Sequence, residues 1–281
     1  MAFRINASEV AGLVGKNPYK SQEEAIQDCI NRNRHGLPPQ EFMKAREVCK
    51  KNKEVEKLYN VLTDDAKKTE TTGEVTAKKV AFTESVKKEM TKGIDEQIGE
   101  AYITYDDEMS KAASIRDERG ITRDFHKHLD ELKAQKASAE HDAAEIAKAA
   151  TTRMNTNFGT RKEDAVADMY EAQTGDKVYK PNRRYDWEIA PGFKVVGKFD
   201  GFTDSGKLVE IKNRVRRLFG EVKEYESVQV HVYMKMAEVD TAHLVERFED
   251  KINILDVFFD DDLMCDVEGE LERVIKEYLS K

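Results

Sequence analysis

Hydrophobic positions along this chain follow two different periods, and the change falls near residue 150. From about 40 to 150, apolar residues recur at helical spacing, as in Val55, Leu58, Tyr59 and Leu62. The stretch "DFHKHLDELKAQKASAEHDAAEIAKAA" reads as a long solvated helix, and the whole region as a helical hairpin or arm with charged faces. Beyond it, "TRKEDAVADMYEAQTG" predicts a separate amphipathic helix with Ala165, Val166, Met169 and Tyr170 as its stripe and Gly175 as its stop. Short alternating runs follow at Lys177–Lys180, Tyr185–Ala190, Phe193–Asp200 and Lys207–Lys212. Pro-Asn, Pro-Gly and Asp-Ser-Gly turns separate them, which predicts an antiparallel meander. A helix is expected at about 221–239, strands near 242–248 and 252–259, and an acidic helix from about 261 to 279.

At the other end, "NASEVAGLVGKNPYKSQEEAI" predicts two short helices. Asn6 and Glu9 cap the first, Gly15 and Pro18 end it, and Ser21 with Glu24 makes a capping box for the second. The elements add up to an α/β chain, a mixed central sheet flanked by helices with a long inserted helical arm. The expected division is 1–39 and 151–281 for the sheet-bearing core and 40–150 for the arm.

Charge changes this picture locally. The chain of 281 residues carries 47 Lys and Arg against 55 Asp and Glu, a net charge of −8. That weighs against a protein coated in nucleic acid over its whole surface. Yet residues 151–218 hold 14 basic against 10 acidic residues, while 219–281 hold 7 against 17. A basic zone thus lies where the strands begin. The three cysteines, Cys29, Cys49 and Cys265, make no C-x-x-C pair and too few ligands for a Cys₄ zinc or four-cysteine cluster. His126, His128 and His141 do not share a helical face, so they read as surface residues. With no apolar run of 18 and no leader-like N-terminus, the expectation is a soluble, intracellular protein without a membrane partner.

Inside the basic zone, "GKFDGFTDSGKLVEIKNRVRR" sets Asp200, Glu210 and Lys212 where a strand would ordinarily place Val or Ile. Glu210 and Lys212 are two apart and share a strand face. If the strands around Asp200 and Glu210 are neighbours through the Asp204–Gly206 turn, the two carboxylates converge. Converging carboxylates need a cation between them, and oxygen ligands select a hard ion such as Mg²⁺ or Mn²⁺. Such an ion with an adjacent lysine suits phosphodiester hydrolysis. The alternative is a surface hairpin with an exposed salt bridge, since Glu-x-Lys recurs by chance.

Four spaced motifs, "GTRKE", "GKFDG", "VEIK" and "QVHVY", follow in order, after an N-terminal "ASEV" and "NPYKS". Together they resemble the PD-(D/E)xK nuclease superfamily, and within it the lambda-exonuclease-like group, also called YqaJ viral recombinases. The motifs span residues 5–25 and 157–240 and leave the arm outside. The resemblance implies Asp200 and Glu210 as metal ligands with the Ile211 carbonyl, Mg²⁺ as the cofactor with Mn²⁺ substituting, and Lys212 as the catalytic lysine. It implies Glu163 as a residue serving a second metal or its water, and Gln229 as a brace beside the lysine, with Tyr233 completing that motif. Related enzymes hold a DNA 5′-phosphate with an arginine and a serine. Ser8 matches the serine, but the chain starts too close upstream to supply the arginine, so Arg4 or Lys198 would have to substitute. Arg161, Lys162, Arg214, Arg216 and Arg217 are expected to meet phosphates without reading bases.

The resemblance thus implies a metal-dependent 5′-to-3′ double-strand DNA exonuclease that leaves 3′ single-stranded tails for recombination or end repair. Its implied partners are DNA ends, a single-strand annealing protein and further copies of itself, in a host cell if the protein is viral. A structure-specific or restriction-like endonuclease uses the same site. A catalytically inactive DNA-binding scaffold on the same fold is opposed by the complete Asp200, Glu210 and Lys212 set.

Overall fold

The computed structural model describes residues 2–65 and 71–280, apart from the side chains of Thr63, Asp65 and Arg161. The chain divides into two compact units, Met1–Gln40 with Thr156–Lys281, and Glu41–Asn155. It opens with a short strand β1 (Phe3–Asn6), which the sequence pattern does not announce. A 3₁₀ turn leads from it into α1 (Val10–Leu13), and α2 (Gln22–His35) follows. Both expected capping boxes form, Asn6 with Glu9 and Ser21 with Glu24.

Helices α3 (Gln40–Lys51), α4 (Lys53–Asp65), α5 (Thr72–Lys111) and α6 (Ile115–Thr174) come next. Within the arm unit Val55, Leu62, Val75, Phe82, Val86, Leu129, Leu132 and Ile146 are buried, so the charged helices enclose a core of their own. His126, His128 and His141 are exposed. The two helices expected on either side of residue 150 are one continuous helix, α6. The only glycine between 121 and 174 is Gly159, and no proline interrupts the stretch. A single interior glycine costs about 1 kcal/mol relative to alanine, too little to end a helix flanked by good helix formers. The helix stops at Gly175, whose φ of 74° needs no Cβ and whose N–H caps the Glu171 carbonyl.

The remaining strands are β2 (Val178–Tyr179), β3 (Tyr185–Ala190), β4 (Phe193–Gly197), β5 (Gly201–Thr203), β6 (Leu208–Asn213), β7 (Thr241–Phe248) and β8 (Lys251–Phe258), with α7 (Glu224–Ala237) before β7 and α8 (Asp261–Val274) after β8. They build two mixed sheets rather than one, β1-β4-β3 and β2-β5-β6-β7-β8. The expected pairing of the Phe193 run with the Lys207 run is therefore corrected. β4 pairs with β1 in parallel and β3 in antiparallel fashion, and the antiparallel partner of β6 is the three-residue β5. Close packing at two glycines lets the chain pass from one sheet to the other between β4 and β5. A Cβ on Gly197 would sit 2.6 Å from the Tyr233 ring, and one on Gly201 would sit 2.3 Å from Val178. β6 and β7 run parallel, and α7 supplies the crossover between them.

The five-stranded sheet is buried on both faces. Leu208 and Leu244 join Val228, Val232 and Met264 in the main core, while Val209, Ile211 and Val245 pack under Val166 and Tyr170 of α6.

Candidate active site

Burial on both faces explains why β6 is so informative. Val209, Ile211 and Asn213 alternate toward α6, and Leu208, Glu210, Lys212 and Arg214 alternate toward α7. Polar groups on that second face meet little water, so each needs a partner in the protein. Lys212 Nζ donates to Glu210 Oε1 at 2.8 Å and to Gln229 Oε1 at 2.9 Å. Gln229 Nε2 donates in turn to Glu210 Oε1 at 3.0 Å and to the Tyr233 hydroxyl at 3.2 Å. Gln229 and Tyr233 are one turn apart on α7 and reach the same place.

Asp200 enters from the β4–β5 crossing. β5 pairs with β6 only as far as Val209, so the edge of β6 beyond it lacks a strand neighbour on that side. Asp200 Oδ2 takes the Ile211 N–H there, at 2.7 Å. The N–H and C=O of one strand residue point the same way, so the Ile211 carbonyl faces this edge too. Among the described residues Asp200 Oδ1 and Glu210 Oε2 carry no hydrogen bond. Two carboxylate oxygens and a carbonyl oxygen fit a hard divalent cation. Among the described residues no group of three or more His, Cys, Asp or Glu side chains gathers at this site or at any other, so the third oxygen here has to come from the Ile211 carbonyl.

The electrostatics fit the same donor set. Burial pushes Asp200 up to about 6, with Glu163 adding to the shift and the Ile211 N–H, Lys212 and Lys180 opposing it. Burial likewise pushes Glu210 up to about 7, helped by Asp200 and Glu226 and opposed by Lys212. Burial works to lower Lys212, but Glu210, Glu226 and Asp200 outweigh it, so the ammonium is held above its ordinary range. Two costly carboxylates and one fixed ammonium leave an excess of negative charge that a cation would relieve.

The other expected residues fall into three groups. Glu163 lies half-buried on α6, raised by burial despite the opposing charge of Lys180, and its shift also registers Glu210. Lys180, which the motifs do not include, stands 3.6 Å from Glu163 Oε2 and 2.6 Å from Asp164 Oδ1. Ser8, Lys198, Arg216 and Arg217 are exposed, as is Arg4. The side chain of Arg161 lies outside those described.

Arg214 is corrected. It is 8% exposed and buried against Glu226 and Glu246, so it cannot present itself to a phosphate. It shares the inward face of Glu210 and Lys212, and that strand parity is the signal a reading of "NRVRR" as a basic cluster passes over. Glu226 and Glu246 were also unassigned. Glu246 stands in the run "HLVERF", as isolated among apolar residues as Glu210 is in "LVEIK".

Residues 109–239 match the model of the YqaJ-like viral recombinase domain. The match takes in every motif residue from Glu163 to Tyr233, together with residues 109–150 of the arm, which the motifs alone had left out. The Asn-Pro-Tyr-Lys-Ser segment lies outside it. No curated protein matches the chain at a significant level. Two solved structures are similar over part of their length. One is an alkaline exonuclease (LHK-Exo) from Laribacter hongkongensis, at 19% identity over 45% of this chain and 69% of that one, with a TM-score of 0.39. The other is a phage-related exonuclease from Haemophilus somnus 129PT, at 15% identity over 44% and 70%, with a TM-score of 0.37.

Proposed function

We propose, for a chain whose residues 109–239 match the YqaJ-like viral recombinase domain, the function of a metal-dependent exonuclease that degrades duplex DNA from its ends. The observation that carries this reading is the meeting of Asp200, Glu210, Lys212 and Gln229 at an open strand edge. Asp200, Glu210 and the Ile211 carbonyl would hold Mg²⁺, with Mn²⁺ able to replace it. A bound ion there would polarise the scissile phosphate and acidify a water. Lys212, kept charged by its carboxylate neighbours, orients the attacking water and offsets charge building on the phosphate. Gln229 fixes the lysine, because its amide oxygen accepts from Nζ while its amide nitrogen holds Glu210 and Tyr233. Glu163, close enough to Glu210 and Asp200 to influence their protonation, would serve a second ion or its water.

The finer reading is 5′-to-3′ polarity, 3′ single-stranded tails as product, and a single-strand annealing protein and other copies of this chain as partners. The arm is read as a protein-contact element, since basic and acidic residues nearly balance across 1–150. No helix among the described residues is long and apolar enough to cross a membrane. The deciding experiment digests linear duplexes labelled at one end, and covalently closed circular duplexes, with Mg²⁺ and with chelator. Loss of linear DNA alone, from the 5′ end and only with metal, is the expected result. Cutting of the closed circle would assign an endonuclease instead, and no cutting of either would leave the scaffold reading.

A further inference from the structure

Helix α7 meets β6 through a ladder of polar rungs. Along the strand Glu210, Lys212 and Arg214 repeat every second residue. Along the helix Tyr233, Gln229 and Glu226 repeat at one-turn intervals in the opposite sense. Gln229 spans Glu210 and Lys212, and Arg214 grips Glu226 with two bonds, Nη1 to Oε1 at 2.6 Å and Nη2 to Oε2 at 2.9 Å. The last rung has a third member. Glu246 of β7, fully buried, accepts from Arg214 Nε at 2.7 Å and also from the backbone N–H groups of Phe219 at 3.2 Å and Gly220 at 2.9 Å. The Phe219 ring covers the guanidinium with its centroid 4.0 Å from Arg214 Cζ.

Burying three ions costs several kcal/mol each, and well-packed apolar residues often do as well for stability. What apolar residues could not do here is hold two loop amides. The segment between β6 and α7 lacks regular structure, yet its backbone is tied at Phe219 and Gly220 to a carboxylate in the sheet. Three and two residues before Phe219 stand Arg216 and Arg217, both exposed; neither makes an ion pair within 4 Å among the described residues, and Arg217 adds only after Lys223 to the lowering of Glu221. The loop starts two residues after Lys212.

We propose that the buried Arg214–Glu226–Glu246 cluster pre-shapes residues 215–222 into a rigid loop on which Arg216 and Arg217 grip DNA backbone phosphates beside the candidate active site. Glu226 and Glu246 are then positioning residues that never touch the substrate. Binding to a loop already held in place spares the ordering entropy that a mobile loop would lose. The proposal rests on the nuclease reading above, but its test separates the two.

Amide hydrogen exchange of the unaltered protein comes first. The Phe219 and Gly220 amides should exchange at least a hundredfold more slowly than unstructured ones, and unprotected exchange at both would overturn the proposal. Next, binding of a blunt duplex is measured in Ca²⁺ over a salt series. Arg216→Ala with Arg217→Ala should weaken binding by about tenfold or more and reduce the salt slope by about two, one for each phosphate no longer neutralised. Glu246→Gln should weaken binding by about fivefold and raise KM while leaving kcat and Mn²⁺ affinity within twofold. Wild-type binding and slope in a folded Glu246→Gln protein would sink the positioning role. Should that variant fail to fold, Phe219→Ala takes its place, because it uncovers Arg214 without leaving a buried charge unpaired. An unaltered protein that cleaves duplexes, with arginine variants that bind normally, rejects this loop and keeps the nuclease. One that neither binds nor cleaves rejects both.

Discussion

Two carboxylates on the α7 side of one sheet, Glu210 and Glu246, are both at most 5% exposed and both near a cation, yet their chemistry is opposite. Burial pushes Glu210 up to about 7, and its two bonds, from Lys212 and Gln229, fall on one oxygen. Burial works against Glu246 as well, but the Gly220 N–H, Arg214 and the Phe219 N–H outweigh it, and the carboxyl is held below its usual range. Partner count makes the difference. Glu246 is saturated by donors from the protein, so its charge is structural. Glu210 keeps one oxygen without a donor and shares the single Lys212 ammonium with Asp200, and a buried pair short of positive charge is a place where an ion or a substrate completes the structure. The same criterion separates Lys212, which faces two acceptors at an open edge, from Arg214, which is enclosed.

The sharpest way to break that contrast is at Lys212. Lys212→Ala should lower cleavage by about a thousandfold or more, a loss consistent with removing a charged group from the reacting centre. Far-UV circular dichroism and duplex affinity should stay close to wild type. Substantial turnover by a folded variant would show that the open-edge lysine is as structural as Arg214.

Neutralising each carboxylate should then move metal-free stability in opposite directions. Glu246→Gln leaves Arg214 facing a weakened partner and should cost about 2–4 kcal/mol, the scale of a broken buried pair. Glu210→Gln removes a charge that the fold bears at a cost, so it should be neutral or mildly stabilising without metal while abolishing tight Mn²⁺ binding. Urea melts with and without Mn²⁺ measure both. Equal destabilisation by the two variants would erase the distinction.

Protonation sharpens the comparison without any mutation. Asp200 at about 6 and Glu210 at about 7 lie above their unfolded values of 3.8 and 4.5. The folded state therefore binds more protons, and this pair's contribution to stability falls as pH rises from about 4 to about 7. Glu246 has the opposite sign. Its contribution is present above its unfolded value of 4.5 and is lost as pH falls through its depressed folded value. Mn²⁺ must displace the protons on Asp200 and Glu210, so its affinity should climb between about pH 5 and pH 7.5 and then level off. Calorimetry in buffers of different ionisation enthalpy should show proton release that shrinks over the same range. Affinity flat across that range would mean that the ion binds elsewhere.

How much of this was legible in the sequence depended on whether a feature is local. The capping boxes at Asn6 and Ser21, the helix near 224–237 and the strands at 241–248 and 251–258 are set by neighbouring residues and follow from pattern alone. The meeting of Asp200 with the β6 edge was anticipated, but through the wrong strand. Alternation marks that a segment is extended and says nothing of its sheet, and the three-residue β5 was too short to register. Arg214 was misread because "NRVRR" looks like one basic patch. Strand parity sends Arg214 inward and leaves Arg216, beyond the end of the strand, free of that rule. Lys180 and Glu246 reach their partners across 17 and 32 residues, to Glu163 and Arg214, and no spacing rule connects them.

The smallest expected effect comes from the other face of β6, where Asn213 touches α6. Asn213 Nδ2 donates to the Gly159 carbonyl at 3.0 Å. In a regular helix that carbonyl also takes the N–H four residues on, which belongs to Glu163. Asn213 thereby locates the turn of α6 that presents Glu163 against the strand that presents Glu210 and Lys212. Its own Oδ1 is buried with no partner. Asn213→Ala removes one hydrogen bond, worth about 1 kcal/mol, and also removes an unsatisfied acceptor whose burial costs a similar amount. Net stability should therefore change by less than about 1 kcal/mol. Cleavage should nevertheless fall by a few-fold, through looser placement of Glu163, and Asn213→Ala should add little to a Glu163→Gln background. A double-mutant cycle on cleavage rate and urea melts tests both halves. Fully additive effects on rate would separate Asn213 from Glu163. A stability loss well beyond 1 kcal/mol would mean that Oδ1 has a partner, such as a bound water, and that this face of the strand is as saturated as the one around Glu246.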